Sequence, residues 1–161
     1  MGTEAAQEAA EPRWLKADEL ETWKTLQLTM ALLTGALGQQ LQRDSNLSFL
    51  EYYVLAGLSD QPEHTMRLSN LAVLANSELS RLSHLIRRLE TRGLVRREPD
   101  PSDGRFTNAI LTPDGYEELV KAAPGHVELV RKLVFDPLTE AEGRALQKTM
   151  AKLLPGLLGD C

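Results

Sequence analysis

Residues 76–105 read NSELSRLSHLIRRLETRGLVRREPDPSDGR, and in this stretch a helical pattern passes directly into a hairpin pattern. Apolar residues at three- and four-residue spacing predict an amphipathic helix over 78–92. The residues of its predicted buried face are Leu79, Leu82, Ile86 and Leu89. Gly93 suits the C-terminal cap of that helix. Residues 94–98 and 106–111 predict two antiparallel strands, because the segment between them is rich in Pro, Asp and Gly.

The helix face opposite these apolar residues carries short hydroxyls, one histidine and arginines, and no acid: Ser77, Ser80, Arg81, His84, Arg88 and Thr91. Between Leu79 and Arg97 the chain has six arginines and a single acid, Glu90. A helix face that is merely exposed to solvent more often mixes Glu and Lys four residues apart. On charge alone, two interpretations stay open: a helix and hairpin that fit a DNA duplex, and a solvated arginine face.

Charge is distributed unevenly along the chain. The 161 residues have a formal net charge of −5. Residues 64–105 hold 8 basic and 5 acidic side chains, net +3, whereas residues 1–63 have a net charge of −6 and residues 106–161 of −2. Because a local cluster of charge indicates a binding surface better than the total does, the acidic total does not exclude nucleic acid.

The composition is typical of a globular protein with one domain, since 42% of the residues are hydrophobic and 25% are charged. No apolar run approaches the ~20 residues that cross a bilayer. The first residues lack the pattern of a secretory signal, so we expect a cytoplasmic protein with no membrane partner. Residues 1–13 are small and acidic and are predicted to be a disordered tail. The single cysteine, Cys161, permits no disulfide within the chain.

Segments on either side of the basic stretch predict further helices. Three capping-box patterns mark helix starts: Asp18–Glu21, Ser48–Glu51 and Thr139–Glu142. The predicted elements are, in order, helices over 18–43 and 48–59, a strand within 64–68, a helix capped by Ser69, a helix over 113–135 that bends near Pro124-Gly125, and a last helix from Thr139.

Four motifs in a fixed order carry a resemblance to a known family: Leu68-Ser69-x-Leu71-Ala72, Leu85-Ile86-x-Arg88-Leu89-Glu90-x-x-Gly93-Leu94-Val95-x-Arg97, Asp100-x-x-Asp103-x-Arg105 and Leu111-Thr112-x-x-Gly115. Each motif alone has low specificity, but the ordered set is specific. With these motifs and this order of elements, residues 14–158 resemble the MarR family of winged helix-turn-helix transcriptional regulators.

The resemblance implies a mainly α fold with a small antiparallel β-wing, a winged helix-turn-helix with N- and C-terminal dimerisation helices. Residues 14–161 would form one domain, in which 48–112 is the DNA-binding lobe. The flanking segments, 14–47 and 113–161, would hold a homodimer on an inverted repeat in double-stranded DNA. The helix over 78–92 would enter the major groove and the wing over 99–105 the minor groove, in a regulator that we expect to be a repressor.

The expected DNA-binding residues combine the outward helix face with the arginines of the wing: Ser77, Ser80, Arg81, His84, Arg87, Arg88, Arg96, Arg97 and Arg105. Asp103 is expected to order the wing by pairing or capping. Two positions depart from the family pattern. His84 stands where the family often has Arg, and Arg87 stands where it usually has Asp. The base preference of relatives therefore does not transfer to this chain.

The resemblance also implies a crevice for a small, often aromatic, anionic effector. Its candidate lining residues are Trp23, Met30, Phe49, Tyr52 and Tyr53. Aromatic residues at helical spacing more often form a core, and that interpretation of these five residues is the stronger one.

Other classes of function have less support. The three histidines, His64, His84 and His126, are scattered, and no motif of a hydrolase, a metalloprotease or a nucleotide-binding enzyme is present. We therefore expect no enzyme activity, no cofactor and no metal site. The main alternative is a winged-helix module that binds protein and not DNA. A module of that kind would have no reason to keep a basic outward helix face together with Arg105.

Overall fold

The computed structural model describes residues 11–158, so most of the predicted tail over 1–13 lies outside the described residues. The helices and strands are α1 (Ala17–Ser45), α2 (Phe49–Ser59), a 3-10 turn (Pro62–His64), β1 (Thr65–Arg67), α3 (Leu68–Leu74), α4 (Leu79–Thr91), β2 (Val95–Pro99), β3 (Thr107–Leu111), α5 (Pro113–Val130), a π-helical turn (Arg131–Phe135) and α6 (Glu140–Leu158). The predicted mainly α architecture is confirmed. No helix among the described residues is long and apolar enough to span a membrane.

The chain divides within α1 into two compact units, and the boundary between them along the chain falls between Leu33 and Thr34. The first unit contains the beginning of α1, where residues 17–33 form regular helix. The second unit contains the end of α1 and every later element.

The wing belongs to a sheet of three antiparallel strands in the order β1-β3-β2. Val95 pairs with Leu111 and Pro99 pairs with Thr107, which is the predicted hairpin. The sequence predicted a short strand within 64–68 without a pairing partner being identified, and in the structure Arg67 of β1 pairs with Asn108 of β3. This pairing joins the residue that precedes α3 directly to the wing.

The core of the second unit is a cluster of apolar side chains from α2, α3, α4 and the sheet, joined by the end of α1 and by α5. The buried face of α4 consists of Leu82, Leu85, Ile86 and Leu89. The prediction that Leu79 belongs to this face is wrong, because its residue surface is 52% exposed. Leu79 is the first residue of α4, and its side chain lies beyond the part of the helix that the core covers.

Two of the three predicted capping boxes are confirmed. The Ser48 backbone N–H donates to Glu51 Oε2 at 2.8 Å, and the Glu51 N–H donates to Ser48 Oγ at 3.2 Å. Thr139 and Glu142 make the same reciprocal bonds at the start of α6. The predicted box at Asp18–Glu21 is wrong in register: α1 begins at Ala17, and the Lys16 N–H donates to Glu19 Oε2.

Other helix ends match the sequence less closely. The predicted cap at Ser69 is wrong, because α3 already begins at Leu68 and Arg67 occupies the N-cap without a side-chain bond. Gly93 follows α4 with a φ of +75°, as its C-terminal cap role predicts. Near Pro124 and Gly125 the helix α5 continues without interruption to Val130, and the irregular turn follows at Arg131–Phe135.

The start of α5 is fixed against the loop that follows α4. Thr112 Oγ1 accepts a hydrogen bond from the Gly115 N–H at 3.0 Å and donates one to the Gly93 carbonyl at 2.6 Å. A Cβ atom on Gly115 would lie 2.0 Å from the Leu94 carbonyl oxygen. The backbones can approach this closely only because residue 115 has no side chain.

Candidate nucleic-acid interface

The outward face of α4 combines exposed polar side chains with free positive charge. Ser80, Arg81, His84 and Arg87 are all exposed, and Ser77 just before the helix is half-buried. At about 100° per residue, the direction opposite the buried face falls nearest to Ser80 and Thr91, with His84 and Arg87 about 30° to either side. Among residues 11–158, neither the Arg81 nor the Arg87 guanidinium forms a hydrogen bond or an ion pair, although the charge of Arg87 contributes to the lowered pKa of Glu90. Both guanidinium groups are therefore available to a ligand.

Arg88 differs from these two arginines because it has a partner within the protein. Its guanidinium lies 3.4 Å from Glu51 Oε1. Glu51 is only 8% exposed and also closes the capping box of α2. Arg88 therefore neutralises a buried carboxylate, while its own side chain stays largely exposed.

The two arginines of β2 are also engaged in ion pairs. Arg97 Nε donates to Glu90 Oε2 at 2.9 Å, which joins β2 to the end of α4. This bond from Arg97 lowers the pKa of the Glu90 carboxyl. Arg96 pairs with Glu98 on the same strand. Neither residue presents an unpaired charge, in contrast to Arg81 and Arg87.

At the wing, Asp103 and Arg105 form a bidentate ion pair. Arg105 Nε donates to Asp103 Oδ1 at 3.0 Å, and its NH2 donates to Oδ2 at 2.6 Å. The hydrogen bonds from Arg105 lower the pKa of Asp103. The Arg105 side chain is 86% exposed, so Asp103 orients a guanidinium that projects into solvent.

The loop of the wing is organised around Asp100, a residue whose role the sequence did not reveal. Its carboxylate accepts hydrogen bonds from Arg67 Nε at 2.7 Å and from the Ser102 N–H at 2.8 Å. These bonds, that from Arg67 first, hold the pKa of Asp100 well below its usual range. The guanidinium of Arg67 also lies 4.7 Å from the centre of the Phe106 ring. Asp100-Pro-Ser is a local turn signal, but nothing in the sequence points to Arg67.

A second polar cluster lies where α1, α2 and α5 meet in the second unit. The Tyr52 and His126 rings have centroids 4.4 Å apart. Burial raises the pKa of Tyr52 and lowers that of His126. Within the described part of the chain, His126 Nδ1 and Gln40 Oε1 are buried without a hydrogen-bond partner. Such atoms are costly unless something bonds to them.

The five candidate effector residues fall in different parts of the chain. Phe49 and Tyr53 stack on α2 with ring centroids 6.3 Å apart, and Tyr52 on the same helix faces His126. Trp23 and Met30 are exposed residues of α1 in the first unit. Among residues 11–158, no three His, Cys, Asp or Glu side chains are grouped as a metal site would require.

Two segments outside the lobe expose many large apolar side chains. No residue of α6 is buried. The exposed apolar residues of α6 follow helical spacing on one face: Leu146, Met150, Leu153, Leu154 and Leu157. The beginning of α1 exposes a further set: Leu20, Trp23, Leu28, Met30 and Leu32. Extended apolar faces of this kind mark surfaces that another chain covers.

Comparison with known proteins relates this architecture to one family. A model of the MarR family matches residues 47–107, which span α2 to the wing. The crystal structure of Sco3205, a MarR family transcriptional regulator from Streptomyces coelicolor in complex with DNA, is 44% identical. It superposes with a TM-score of 0.87 over 92% of each chain.

Two curated relatives are transcriptional regulators by description. Transcriptional regulator HosA of Escherichia coli is 36% identical over 76 residues, which cover 46% of this chain and 53% of HosA. The HTH-type transcriptional repressor IacR of Pseudomonas putida is 27% identical over 112 residues, which cover 70% of this chain and 65% of IacR. The chain thus spans between half and two thirds of the length of these curated relatives.

Proposed function

Because the chain belongs to the MarR family of transcriptional regulators, we propose that it is a homodimeric regulator that binds double-stranded DNA and represses transcription. One observation carries this proposal: the outward face of α4 is free of acid, and its Arg81 and Arg87 guanidinium groups form no ion pair with any described residue. An unpaired guanidinium can release counterions from DNA without first breaking an ion pair of its own. The likeness to a regulator crystallised with DNA gives independent support.

In the proposed complex α4 lies in the major groove. Arginine can bond both acceptors of a guanine edge, and serine hydroxyls can bond phosphates or bases. Arg81, His84 and Arg87 are the groups best placed for base edges, and Ser77 and Ser80 for the neighbouring backbone. Arg88 forms an ion pair with Glu51 on the protein side and would contact phosphate with the exposed part of its guanidinium.

In the same complex, the wing reaches the minor groove. The exposed Arg105 would enter where a narrow groove concentrates negative potential. Arg96 and Arg97, which are already paired with Glu98 and Glu90, are candidates for contacts at the edge of the interface. Asp103 would set the direction of Arg105, and Asp100 would hold the loop on Arg67.

The proposal includes a dimer because a single copy leaves the apolar face of α6 exposed. Burial of that face in a second copy removes leucine side chains from water, at about 25 cal/mol per Å². A two-fold axis then presents two copies of α4 to successive turns of one DNA face. The expected target is an inverted repeat with half-sites about 10 bp apart.

A gel-shift assay on the DNA upstream of the protein's own gene, repeated across a salt series, tests this function. We expect a shift whose affinity falls steeply with salt, and a large loss when Arg81 and Arg87 are both changed to Ala. Lys121→Ala on α5 serves as the matched control, since it removes an exposed cation outside the lobe. The alternative, a winged-helix module that binds protein and not DNA, predicts no shift at any salt concentration.

We further propose that a small aromatic or anionic molecule regulates DNA binding. The support is a pair of atoms that are buried without a hydrogen-bond partner among the described residues, Gln40 Oε1 and His126 Nδ1, together with the Tyr52 ring that lies against His126. A ligand with a ring and a hydrogen-bonding group could satisfy both and displace α2 relative to α5. A thermal-shift screen of aromatic acids, followed by gel shift with any hit, tests this. No stabilisation by any compound, or stabilisation that survives Gln40→Leu unchanged, would contradict the assignment.

The proposal also covers enzyme activity and location in the cell. A regulator of this kind carries out no reaction, so we propose that the chain is not an enzyme and needs no cofactor. A protein that binds the DNA of the cell must be present in the same compartment, so we propose a cytoplasmic location.

A further inference from the structure

Leu79 is the only apolar residue of α4 that the core does not bury. The other four, Leu82, Leu85, Ile86 and Leu89, are at most 4% exposed, whereas Leu79 is 52% exposed. A leucine left in water forgoes the transfer free energy that burial would give. At about 100° per residue, Leu79 lies between the buried face and the outward face of α4, on the side that carries Ser83, so the core does not account for this side chain.

The surroundings of Leu79 form a groove between α4 and the wing. The groove has a volume of about 230 Å³, and its apolar walls are Leu68, Leu79 and Phe106. Ser83 and Arg105 add polar groups to the same lining. Phe106 is 42% exposed, so two large apolar side chains, Leu79 and Phe106, face this opening. Arg81 and Arg87 on the same helix favour a polyanionic occupant over an apolar protein surface.

The position of Leu79 in the helix indicates what it can touch. In helix-turn-helix proteins, residues near the N-terminus of the recognition helix contact base edges. Leu79 is the first residue of α4 and has no group that donates or accepts a hydrogen bond. In the major groove, only thymine presents an apolar feature, its C5-methyl group.

We propose that Leu79 contacts the C5-methyl group of one thymine in each half-site and so specifies that base. This assignment rests on the proposed DNA-binding function. Leu79 is then a specificity-determining residue that acts by apolar contact. Arg81 and His84 supply the hydrogen bonds to the edges of neighbouring base pairs.

The test begins with a duplex that the wild-type chain selects from a random pool. Each thymine of one half-site is replaced in turn by deoxyuridine, which keeps the pairing edge and removes only the methyl group. Binding is measured for the wild type and for Leu79→Ala and Leu79→Met. Val73→Ala is the matched control, because Val73 is an exposed apolar residue of α3 outside the groove.

At one thymine we expect deoxyuridine to weaken wild-type binding about four-fold, as loss of one buried methyl-sized group predicts. Leu79→Ala should weaken binding to the thymine duplex by a similar or larger factor and show no further loss with deoxyuridine. Leu79→Met should keep the discrimination, and Val73→Ala should behave as wild type. Alanine suits an exposed helix position, so these variants should fold.

Two results would overturn the inference. One is a wild-type chain that binds every deoxyuridine duplex as tightly as the thymine duplex. The other is a Leu79→Ala variant that keeps the wild-type ratio of affinities for the thymine and deoxyuridine duplexes, which would show that Leu79 does not contact the methyl group. In both cases the duplex is still bound, so the proposed function stands. If no duplex is selected from the pool, the proposed function fails and the thymine contact fails with it.

Discussion

At the scale of single residues, the arginines of residues 76–105 fall into two groups. Arg88, Arg96, Arg97 and Arg105 form ion pairs with carboxylates, whereas Arg81, Arg87 and Arg92 form none among residues 11–158. Arg92 instead donates a hydrogen bond to the Asn46 carbonyl at 3.1 Å. An exposed ion pair stabilises a fold by only about 0–1 kcal/mol, so exposed partners can be exchanged for phosphate at low cost. The sequence shows that these arginines are clustered, but it does not show which of them are already paired.

Arg105→Ala should weaken binding to the operator and reduce its dependence on salt. If the guanidinium contacts one phosphate, the slope of log affinity against log salt falls by about 0.9. Fluorescence anisotropy over a salt series measures both quantities, with Lys121→Ala on α5 as the control. An unchanged slope and affinity would remove Arg105 from the interface.

Asp100→Asn should destabilise the protein at neutral pH and less so in acid. The folded state depresses the pKa of Asp100, so its contribution is present above the unfolded value, about 3.9. That contribution is lost as the pH falls from there toward the folded pKa. Urea unfolding at pH 6 and pH 3 measures the difference between wild type and variant, which should shrink at pH 3.

Asp60→Asn serves as the control for this experiment, since Asp60 is exposed and forms no ion pair among the described residues. The same stability difference at both pH values would show that the Asp100 carboxylate does not contribute through its charge.

At the scale of elements, the regular pattern of the sequence was enough to predict most helices and the hairpin. The helix predicted over 78–92 is α4 over Leu79–Thr91, because its apolar spacing and Gly93 define both its face and its end. The third strand was not predicted as part of the sheet, since β1 pairs with residues more than forty positions away. The ion pair of Arg67 with Asp100 depends on that pairing and was missed with it.

Gly115→Ala should destabilise the junction between the wing and α5. The new Cβ would lie 2.0 Å from the Leu94 carbonyl oxygen, which is backbone and cannot rotate away. Displacement of packed elements by an added methyl typically costs about 1–3 kcal/mol. Chemical denaturation measures the change in the free energy of unfolding.

Gly104→Ala is the matched control, since a Cβ there meets nothing within 4 Å. We expect it to change stability by less than about 0.5 kcal/mol. Equal stabilities of the two variants would show that α5 can move away from Leu94 without cost.

At the scale of the whole molecule, the apolar face of α6 and the basic face of α4 require different partners. We propose that the apolar face of α6 packs against another copy of the chain and that the basic face of α4 binds DNA. The sequence was enough to name the candidate DNA-binding residues. Their ion-pair partners could not be predicted, because those pairs depend on contacts between segments that are distant in the chain. The leucines of α6 could be predicted to lie on one face, whereas the finding that none of them is buried in a single copy comes only from the structure.

Leu153→Glu should raise the dissociation constant of the dimer by roughly a hundred-fold, because an unpaired carboxylate cannot be buried without a cost of several kcal/mol. Leu153 is 47% exposed, so the lobe itself should stay folded. Lys148→Glu changes the charge on the opposite side of α6 and is the control. Sedimentation velocity gives the association state, and a wild-type chain that is monomeric at micromolar concentration would contradict the dimer.

The central claim is that two copies of α4 bind one DNA duplex with two-fold symmetry. A hydroxyl-radical footprint of the wild-type chain on its selected duplex tests it most directly. We predict two protected half-sites related by an inverted repeat, with centres about 10 bp apart. Changing Arg81 and Arg87 together to Ala should remove protection from both at once. A single asymmetric half-site, or protection that survives the double substitution, would contradict the account.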